Sequence, residues 1–573
     1  MSFVSTRRRF VQGVTSGALL WAAAPWTPAR AASQPAVLSG TEFDLSIDAL
    51  AVNYTGAQRT ATAVNGQLPA PLLRWREGDS VTIRVTNRMS VPSSIHWHGV
   101  LVPAEMDGVP GLSFPGIAPG ETYVYRFRVK QFGTYWYHAH TRFQEQSGLY
   151  GPIVIEPRGG QGARADRDYT VLLSDWSDSD PEHLFVTLKR QSEYFNYGRR
   201  TAGDFVAALR SRGLAAAMRD WAPWEEMRMD PTDLTDISAA TYTYLMNGAT
   251  PARNWTALFS AGDSVRLRFI NASAMSFFDI RIPGLSLTVV AADGQDVEPV
   301  TVDEFRMSSG EVLDVIVKPK AEQAYTIFAQ SMDRSGYARG TLSARAGLQA
   351  EVPALDPRPL LSTLDMGMSM DAMQNMANMS GMEQGGMTDM PGMTGGQPMP
   401  EHPDTAHYGP GVDMRVQMPR PKLDDPGVGL RDNGRRVLTY ADLHTLGGPI
   451  DARDGGRDIE LHLTGHMQRY MWSFNGQKFS EASPLQFKFG ERLRLVLIND
   501  TMMTHPIHLH GMWSELIAPD GSFQVRKHTV MVQPGQRLSY LVSADALGRW
   551  AYHCHLTYHM AAGMFREVRV EQM

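Results

Sequence analysis

The chain has 573 residues, 43% of them hydrophobic, a formal net charge of −6 and one cysteine. That length predicts roughly three or four domains, each able to bury a core. The acidic balance argues against nucleic acid as a partner, and a single cysteine excludes an internal disulfide.

The N-terminus reads as an export signal. Thr6-Arg7-Arg8-Arg9-Phe10-Val11-Gln12 is a twin-arginine pattern, followed by a weakly apolar run to Trp26 and an Ala29-Arg30-Ala31 cleavage site. Residues 1–31 are therefore expected to be a twin-arginine signal peptide and the mature protein to be periplasmic. No other run is long enough to span a bilayer.

Three later segments share one pattern: Gly78 to Asn87, Gly262 to Asn271 and Gly490 to Asn499. Each alternates apolar and polar residues, the mark of a half-buried strand, and each follows an Asn-Gly turn (Asn65-Gly66, Asn247-Gly248, Asn475-Gly476). The pattern predicts an all-β protein made of three copies of one β-sandwich, at 42–157, 168–345 and 437–573.

The first copy carries His96-Trp97-His98 nine residues past Asn87, and His138-Ala139-His140 eighteen past Gly120. Residues i and i+2 of a strand share a face about 7 Å apart, so each pair presents two imidazoles to one side. Asp107, in Met106-Asp107-Gly108, is either a turn carboxylate or a proton donor to chemistry at these rings. The second copy has Ile280 and Ile282 at the first offset and Phe328, Ala329 and Gln330 at the second, hence no ligand. Within it, Glu182 to Arg228 has Phe205, Leu209, Leu214 and Met218 at helical spacing and predicts a helical insertion whose aromatics pack on the sandwich.

Between the second and third copies the composition changes. Eleven methionines lie between Met366 and Met399 among Gly, Ser, Asn and Pro, so the stretch 361–420 is expected to be a disordered Met-rich linker. Thioether is a ligand for Cu(I), so the tract is either a flexible linker or a place for extra Cu(I), with His402 and His407 just beyond it.

The third copy repeats both offsets with His508-Leu509-His510 and His553-Cys554-His555. Eight imidazoles from two sandwiches suit three copper ions. Cys554 alternates with its neighbours along the strand, so it faces the opposite side from His553 and His555. With His505, His559 and the more distant Met564 it forms the two-His, one-Cys, one-Met set of a blue electron-transfer copper. By the same offsets, the positions of His505 and Cys554 are Ser93 and Ala139 in the first copy, Phe277 and Ala329 in the second.

Over essentially the whole mature chain these motifs resemble the multicopper oxidases. The twin-arginine leader and the Met-rich segment resemble, within that family, the bacterial copper-resistance oxidases of the CopA type. The resemblance implies three cupredoxin-like Greek-key domains and four copper ions. It places a type 1 copper on His505, Cys554, His559 and Met564. A type 2 copper falls on His96 and His508, and a type 3 pair on His98, His138, His140, His510, His553 and His555. Electrons would enter at an exposed edge of His505 or His559 and pass by Cys554 to His553 and His555, reducing O2 to water. The expected substrate is Cu(I), delivered by the Met-rich segment and by Met502, Met503, Met512 or Met560, with periplasmic copper-binding proteins as partners. A phenol-oxidising laccase and a copper-sequestering protein are the alternatives. Some cuprous oxidases of the superfamily have an acidic residue directly after the type 1 histidine; here it is Met560.

Overall fold

The computed structural model describes residues 35–160, 162–368 and 409–572. The expected signal peptide, most of the Met-rich tract, His402 and His407 lie outside the described residues. The sandwich strands run from 37 to 156, 167 to 343 and 458 to 571. Among the described residues each copy is a pair of sheets, with five and four strands in the first and six and five in the second and third.

In the first sandwich the repeated strand is β1 (Ser80–Asn87), and the imidazole pairs lie on β2 (His96–His98) and at the end of β3 (Gly133–His138). The second sandwich has β4 (Val265–Asn271), β5 (Phe278–Arg281) and β6 (Ala324–Ser331) in the same places. The third has β7 (Arg492–Asn499), β8 (His505–Leu509) and β9 (Gly548–Cys554). In every copy the repeated strand pairs in parallel with the first long strand of its sandwich, as Phe43↔Ile83, Tyr169↔Leu267 and Ile459↔Leu495 show.

The asparagine that ends each repeat has a job the pattern alone does not reveal. Its Nδ2 donates across the following loop, from Asn87 to the Val91 and Ile117 carbonyls and from Asn499 to those of Met503 and Val532. Asn271 makes the same pair of bonds to Ser276 and Met307, so its loop is one residue longer. This corrects the equivalences in the second copy. His96 pairs with His138 and His508 with His553, and the matching pair is Arg281 with Phe328. Arg281, rather than Ile280, thus stands where His508 would be, and Phe278, rather than Phe277, where His505 would be. The Arg281 guanidinium lies over the Phe328 ring at 4.8 Å, a cation–π contact filling the place of two metal-binding imidazoles.

The alternation in β4 also departs from expectation, because Arg266 and Arg268 are buried against the first sandwich. Arg268 donates to Thr134 Oγ1 of β3 and to Asp314, and pairs with Asp168. In β5, Asp279 is fully buried and holds Arg306 through two bonds of 2.7 and 2.8 Å and Arg334 at 2.5 Å. Burial pushes its carboxyl up, but Arg306 and Arg334 together hold it below the usual range. Removing one partner of such a network leaves buried charge uncompensated. Asp279→Ala is expected to cost about 3–5 kcal/mol, read as a lower urea midpoint for the unit that contains the second sandwich.

The helical insertion is α1 (Pro181–Arg190), α2 (Ala202–Arg212) and α3 (Leu214–Met227). Asp180 caps α1 through the Glu182 N–H, and Thr201 with Asp204 forms a capping box on α2. Leu184, Leu188 and Trp224 pack inward, whereas Tyr194, Tyr197, Leu214 and Met218 are exposed, so only part of the apolar content reaches the core. Phe185 of α1 stacks on Tyr558, and Lys189 Nζ donates to the Tyr470 carbonyl. The insertion therefore lies over the end of the third sandwich.

The ends of the stretch expected to be disordered are packed. Leu361 and Met366 are buried, Val416 packs on Val496 and Ile498, and the Val416 N–H donates to Asp500. Residues 420–457 form a strap rather than the start of a sandwich: it is tied to the second copy at Glu304↔Val437 and Val297↔Thr445, and the third sandwich begins at Asp458. Among the described residues no helix is long and apolar enough to cross a membrane.

Candidate metal centre

Strands β2 and β3 of the first sandwich face β8 and β9 of the third, and eight imidazoles meet between them. His98, His138 and His555 bring one nitrogen each within 4.8 Å of one another, and so do His140, His510 and His553. His96 and His508 form a further trio with His98. All eight side chains are buried except that of His140, which is partly so.

The outer nitrogens are taken. His96 Nδ1 is 2.8 Å from the Asp107 carbonyl oxygen, and His510 Nδ1 is 2.8 Å from Asp107 Oδ2. His138 Nδ1 faces Glu145 Oε2 at 2.8 Å, and His555 Nδ1 faces Ser309 Oγ at 2.9 Å. The backbone carbonyls of His528 and Cys554 lie 2.6 and 2.9 Å from Nδ1 of His508 and His553. Each contact puts the proton on Nδ1 and leaves the Nε2 lone pair aimed inward. His98 is reversed: its Nε2 lies 3.0 Å from Thr529 Oγ1, and Nδ1 points in.

Among the described residues the inner nitrogens meet only one another or nothing. Nε2 of His96, His138, His508 and His555 and Nδ1 of His98 are buried without a partner, and Nε2 of His553 meets Nε2 of His140 and His510 at 3.3 and 3.1 Å. Lone pairs converging in a dry cavity are costly unless a cation is shared among them. The donor set therefore fits bound metal. Burial first, then neighbouring imidazoles, holds His98, His140, His508, His510 and His555 well below the ordinary histidine value, and His553 is lowered to about 4. The rings are thus neutral, the form that ligates.

Asp107 is the hinge of one side, since its carboxylate and its carbonyl orient two different rings. It lies before Gly108, where φ is +84° and a Cβ would come within 1.8 Å of the Ile95 carbonyl oxygen, so only glycine lets the turn close here.

On the opposite face of β9, Cys554 Sγ lies 3.6 Å from His505 Nδ1 and 3.9 Å from His559 Nδ1, and the two nitrogens are 3.2 Å apart. His559 lies on α4 (Thr557–Ala561). Thr501 Oγ1 takes His505 Nε2 at 2.8 Å, and Asp236 Oδ2 takes His559 Nε2 at 2.8 Å, so both Nδ1 atoms turn to the sulfur. Met564 is fully buried; its N–H donates to the His559 carbonyl and its carbonyl accepts from the Cys554 N–H. A thiolate, two imidazoles and a neighbouring thioether suit copper. Burial pushes the Cys554 thiol up.

The expected exposed edge is not there: His505 and His559 are both 0% exposed. Trp472 stacks on His559 with centroids 4.0 Å apart, and Asp236 also accepts from the Tyr470 hydroxyl at 2.9 Å. Met502, Met503 and Met512 are buried too, and Met560 packs with Val109, Ala551 and Phe565, so none of the first three meets solvent. The sequence reading missed Asp236, Glu145, Ser309 and Thr501, which orient ligands. Thr501 lies just before His505 and Glu145 just after His140, both close to motifs, whereas Asp236 and Ser309 come from the second sandwich with no recognisable spacing to them.

Cupredoxin-like sandwiches with paired imidazoles at a domain junction and one thiolate site define a class of copper oxidases, and the comparisons agree. Family models described as multicopper oxidase match residues 47–160, 167–347 and 454–573. A copper resistance protein A homolog of Pseudomonas syringae pv. tomato is 57% identical over 99% of each chain, and copper resistance protein A of Escherichia coli is 54% identical over 100% of each. The laccase of Botrytis aclada superposes with a TM-score of 0.64 at 21% identity, covering 94% of this chain and 88% of that one. Fet3p, a multicopper oxidase that functions in iron import, gives 0.63 at 18%, covering 93% and 91%. The chain belongs to the multicopper oxidase family, in its CopA-type copper-resistance branch.

Proposed function

We propose that the protein is a periplasmic cuprous oxidase of copper resistance, exported by the twin-arginine route. Four Cu(I), one O2 and four protons become four Cu(II) and two waters. Copper held by His505, Cys554, His559 and Met564 supplies one-electron transfer, and copper held by the eight imidazoles supplies O2 reduction. His96 and His508 are read as the type 2 pair, and the two trios as the type 3 pair. Cys554 is bonded through the chain to His553, in one trio, and to His555, in the other, which gives both a short covalent link to the sulfur. Asp107 and Glu145 keep the rings in their ligating tautomers, and Asp107 is placed to pass protons.

The observation that carries the cuprous reading is Asp236. One carboxylate oxygen is hydrogen-bonded to His559, while Oδ1 is buried without a partner among the described residues. Asp233, raised well above the usual value by burial, Asp236, Glu193 and Asp230, continues the series. Glu193 and Asp230 line a cavity of about 430 Å3 together with Arg190, Arg199, Arg200 and Arg228, so the cavity itself does not select a cation. A carboxylate that holds a ligand histidine with one oxygen and keeps the other unengaged among the described residues favours a small cation over a phenol. Delivery by the Met-rich tract and by periplasmic copper-binding proteins belongs to the same reading.

Asp236→Asn and deletion of residues 369–399 test it, the deletion sparing Met366 because that side chain is packed. Asparagine keeps an oxygen to accept from His559 and loses only the charge that would draw a cation, and changes behind a ligand cost about 10–100-fold in activity. Asp236→Asn is expected to lower cuprous oxidation by that factor and phenol oxidation much less. Equal losses would favour a laccase. Loss of copper binding with both oxidations intact in the deletion would favour sequestration.

A further inference from the structure

A ninth imidazole lies in the cluster, outside the four pairs. His528 is 2% exposed, with its ring centroid 4.7 Å from His98 and 5.9 Å from His508. Asp293 of the second sandwich holds its turn, accepting from the N–H groups of His528 and Thr529 at 3.1 and 3.2 Å. The His528 carbonyl orients His508, and its ring faces His98, so this one residue touches rings of both trios that share His98.

The proton positions follow from the contacts. His98 Nδ1 points inward without a partner, so its proton is on Nε2, which lies 3.0 Å from Thr529 Oγ1 and 3.2 Å from His528 Nδ1. The Thr529 hydroxyl is 3.1 Å from the same His528 Nδ1. Two donors therefore face that nitrogen, whereas the nearest carboxylate oxygen, on Asp293, is 3.6 Å away and beyond hydrogen-bond reach. Nδ1 accepts, and the neutral ring carries its proton on Nε2. That nitrogen is buried and has no partner among the described residues.

His528 borders a cavity of about 10 Å3 shared with His96, His508, His510 and Trp513, room for about one water. Gly99 also lines it. At Gly99 φ is +77°, and a Cβ would meet His528 Cδ2 at 2.3 Å, so the glycine after the first imidazole pair makes way for this ring.

We propose that His528 is a hydrogen-bond donor, through Nε2–H, to a small inorganic ligand of one heavy atom (water, hydroxide or halide) in the cavity beside His96 and His508. The proposal rests on the reading of those two residues as the type 2 pair. It gives the bare N–H its acceptor and the exchanging ligand a fixed position. His528 acts on the ligand without binding metal, so its loss leaves the copper complement in place.

Fluoride is the probe, titrated into the copper-loaded full chain and followed by its splitting of the type 2 EPR signal. His528→Gln keeps an N–H donor, and His528→Phe keeps a ring without one. The expected result is full copper content and blue absorption in both, fluoride affinity lowered about tenfold by Phe, and affinity near that of the natural protein for Gln. Equal affinity in Phe and the natural protein overturns the proposal. If the Phe variant loses trinuclear copper, His528→Leu replaces it as the smaller donor-free variant, and the comparison with Gln still decides. A natural protein without a type 2 signal overturns the copper reading itself, whereas a normal signal with equal affinities overturns only the role of His528.

Discussion

Cys554→Ser is expected to abolish both the blue absorption and substrate oxidation, while the eight-imidazole cluster keeps its copper. The thiol is the one soft anionic ligand in the chain, and a serine hydroxyl in a dry site is a poor substitute for it. The substitution is nearly isosteric, and the neighbouring rings are held from outside by Thr501 and Asp236, so the site should stay formed. Copper content and EPR then separate the two centres: one copper fewer, with the type 2 signal unchanged. Oxidation at an undiminished rate would show that electrons enter by a route other than the sulfur.

The second large effect is on the metal-free protein. Seven imidazoles, those of His98, His138, His140, His505, His508, His510 and His555, are held well below the ordinary value, burial being the largest cause in each. An unfolded histidine takes a proton near pH 6.5, whereas these rings in the folded state do not. As pH falls below about 6.5 the unfolded chain gains protons that the folded chain cannot, and each group removes up to about 1.4 kcal/mol of stability per pH unit. Stability is therefore full above that pH and is lost on the acid side, with Asp279 contributing in the same direction at lower pH. The urea midpoint of the metal-free protein is expected to fall between pH 6.5 and 5, by less than the imidazoles alone would give, because the buried carboxyls of Glu145 and Asp233, raised by burial, act in the opposite direction. Copper on the same lone pairs should move that fall to lower pH. A midpoint that does not change over this range would mean that the rings are hydrated and chargeable in the folded state.

What could be read in advance followed from how the ligands are encoded. Each imidazole pair lies two residues apart on a strand or across its end, and the first pair of each copy stands at a constant distance from a repeated Gly-Asp or Gly-Glu strand, so His96, His98, His508 and His510 could be placed by counting. The same counting slipped by one in the second copy, because the loop after Asn271 is one residue longer and nothing in its composition marks the extra residue. Orientation was not legible at all. Asp236 reaches His559 across 323 positions, and Ser309 reaches His555 across 246, contacts that exist only once the sandwiches have docked. The supposed exposed edge failed for a related reason: Trp472 and Tyr470, far from His559 in sequence but in the same sandwich, cover its ring, and Phe185 of α1 packs on Tyr470 and Tyr558 outside them. Methionine enrichment, likewise, did not distinguish Met366, in the core, from the tract that follows it.

Although none of the candidate ligand groups among the described residues draws on the second sandwich, Asp236 behind His559, Ser309 behind His555 and Asp293 beneath the His528 turn all belong to it. It therefore acts as a tuning block. Changes there would shift the redox behaviour of the centre with every ligand intact, so natural variants can diverge while their copper motifs read the same.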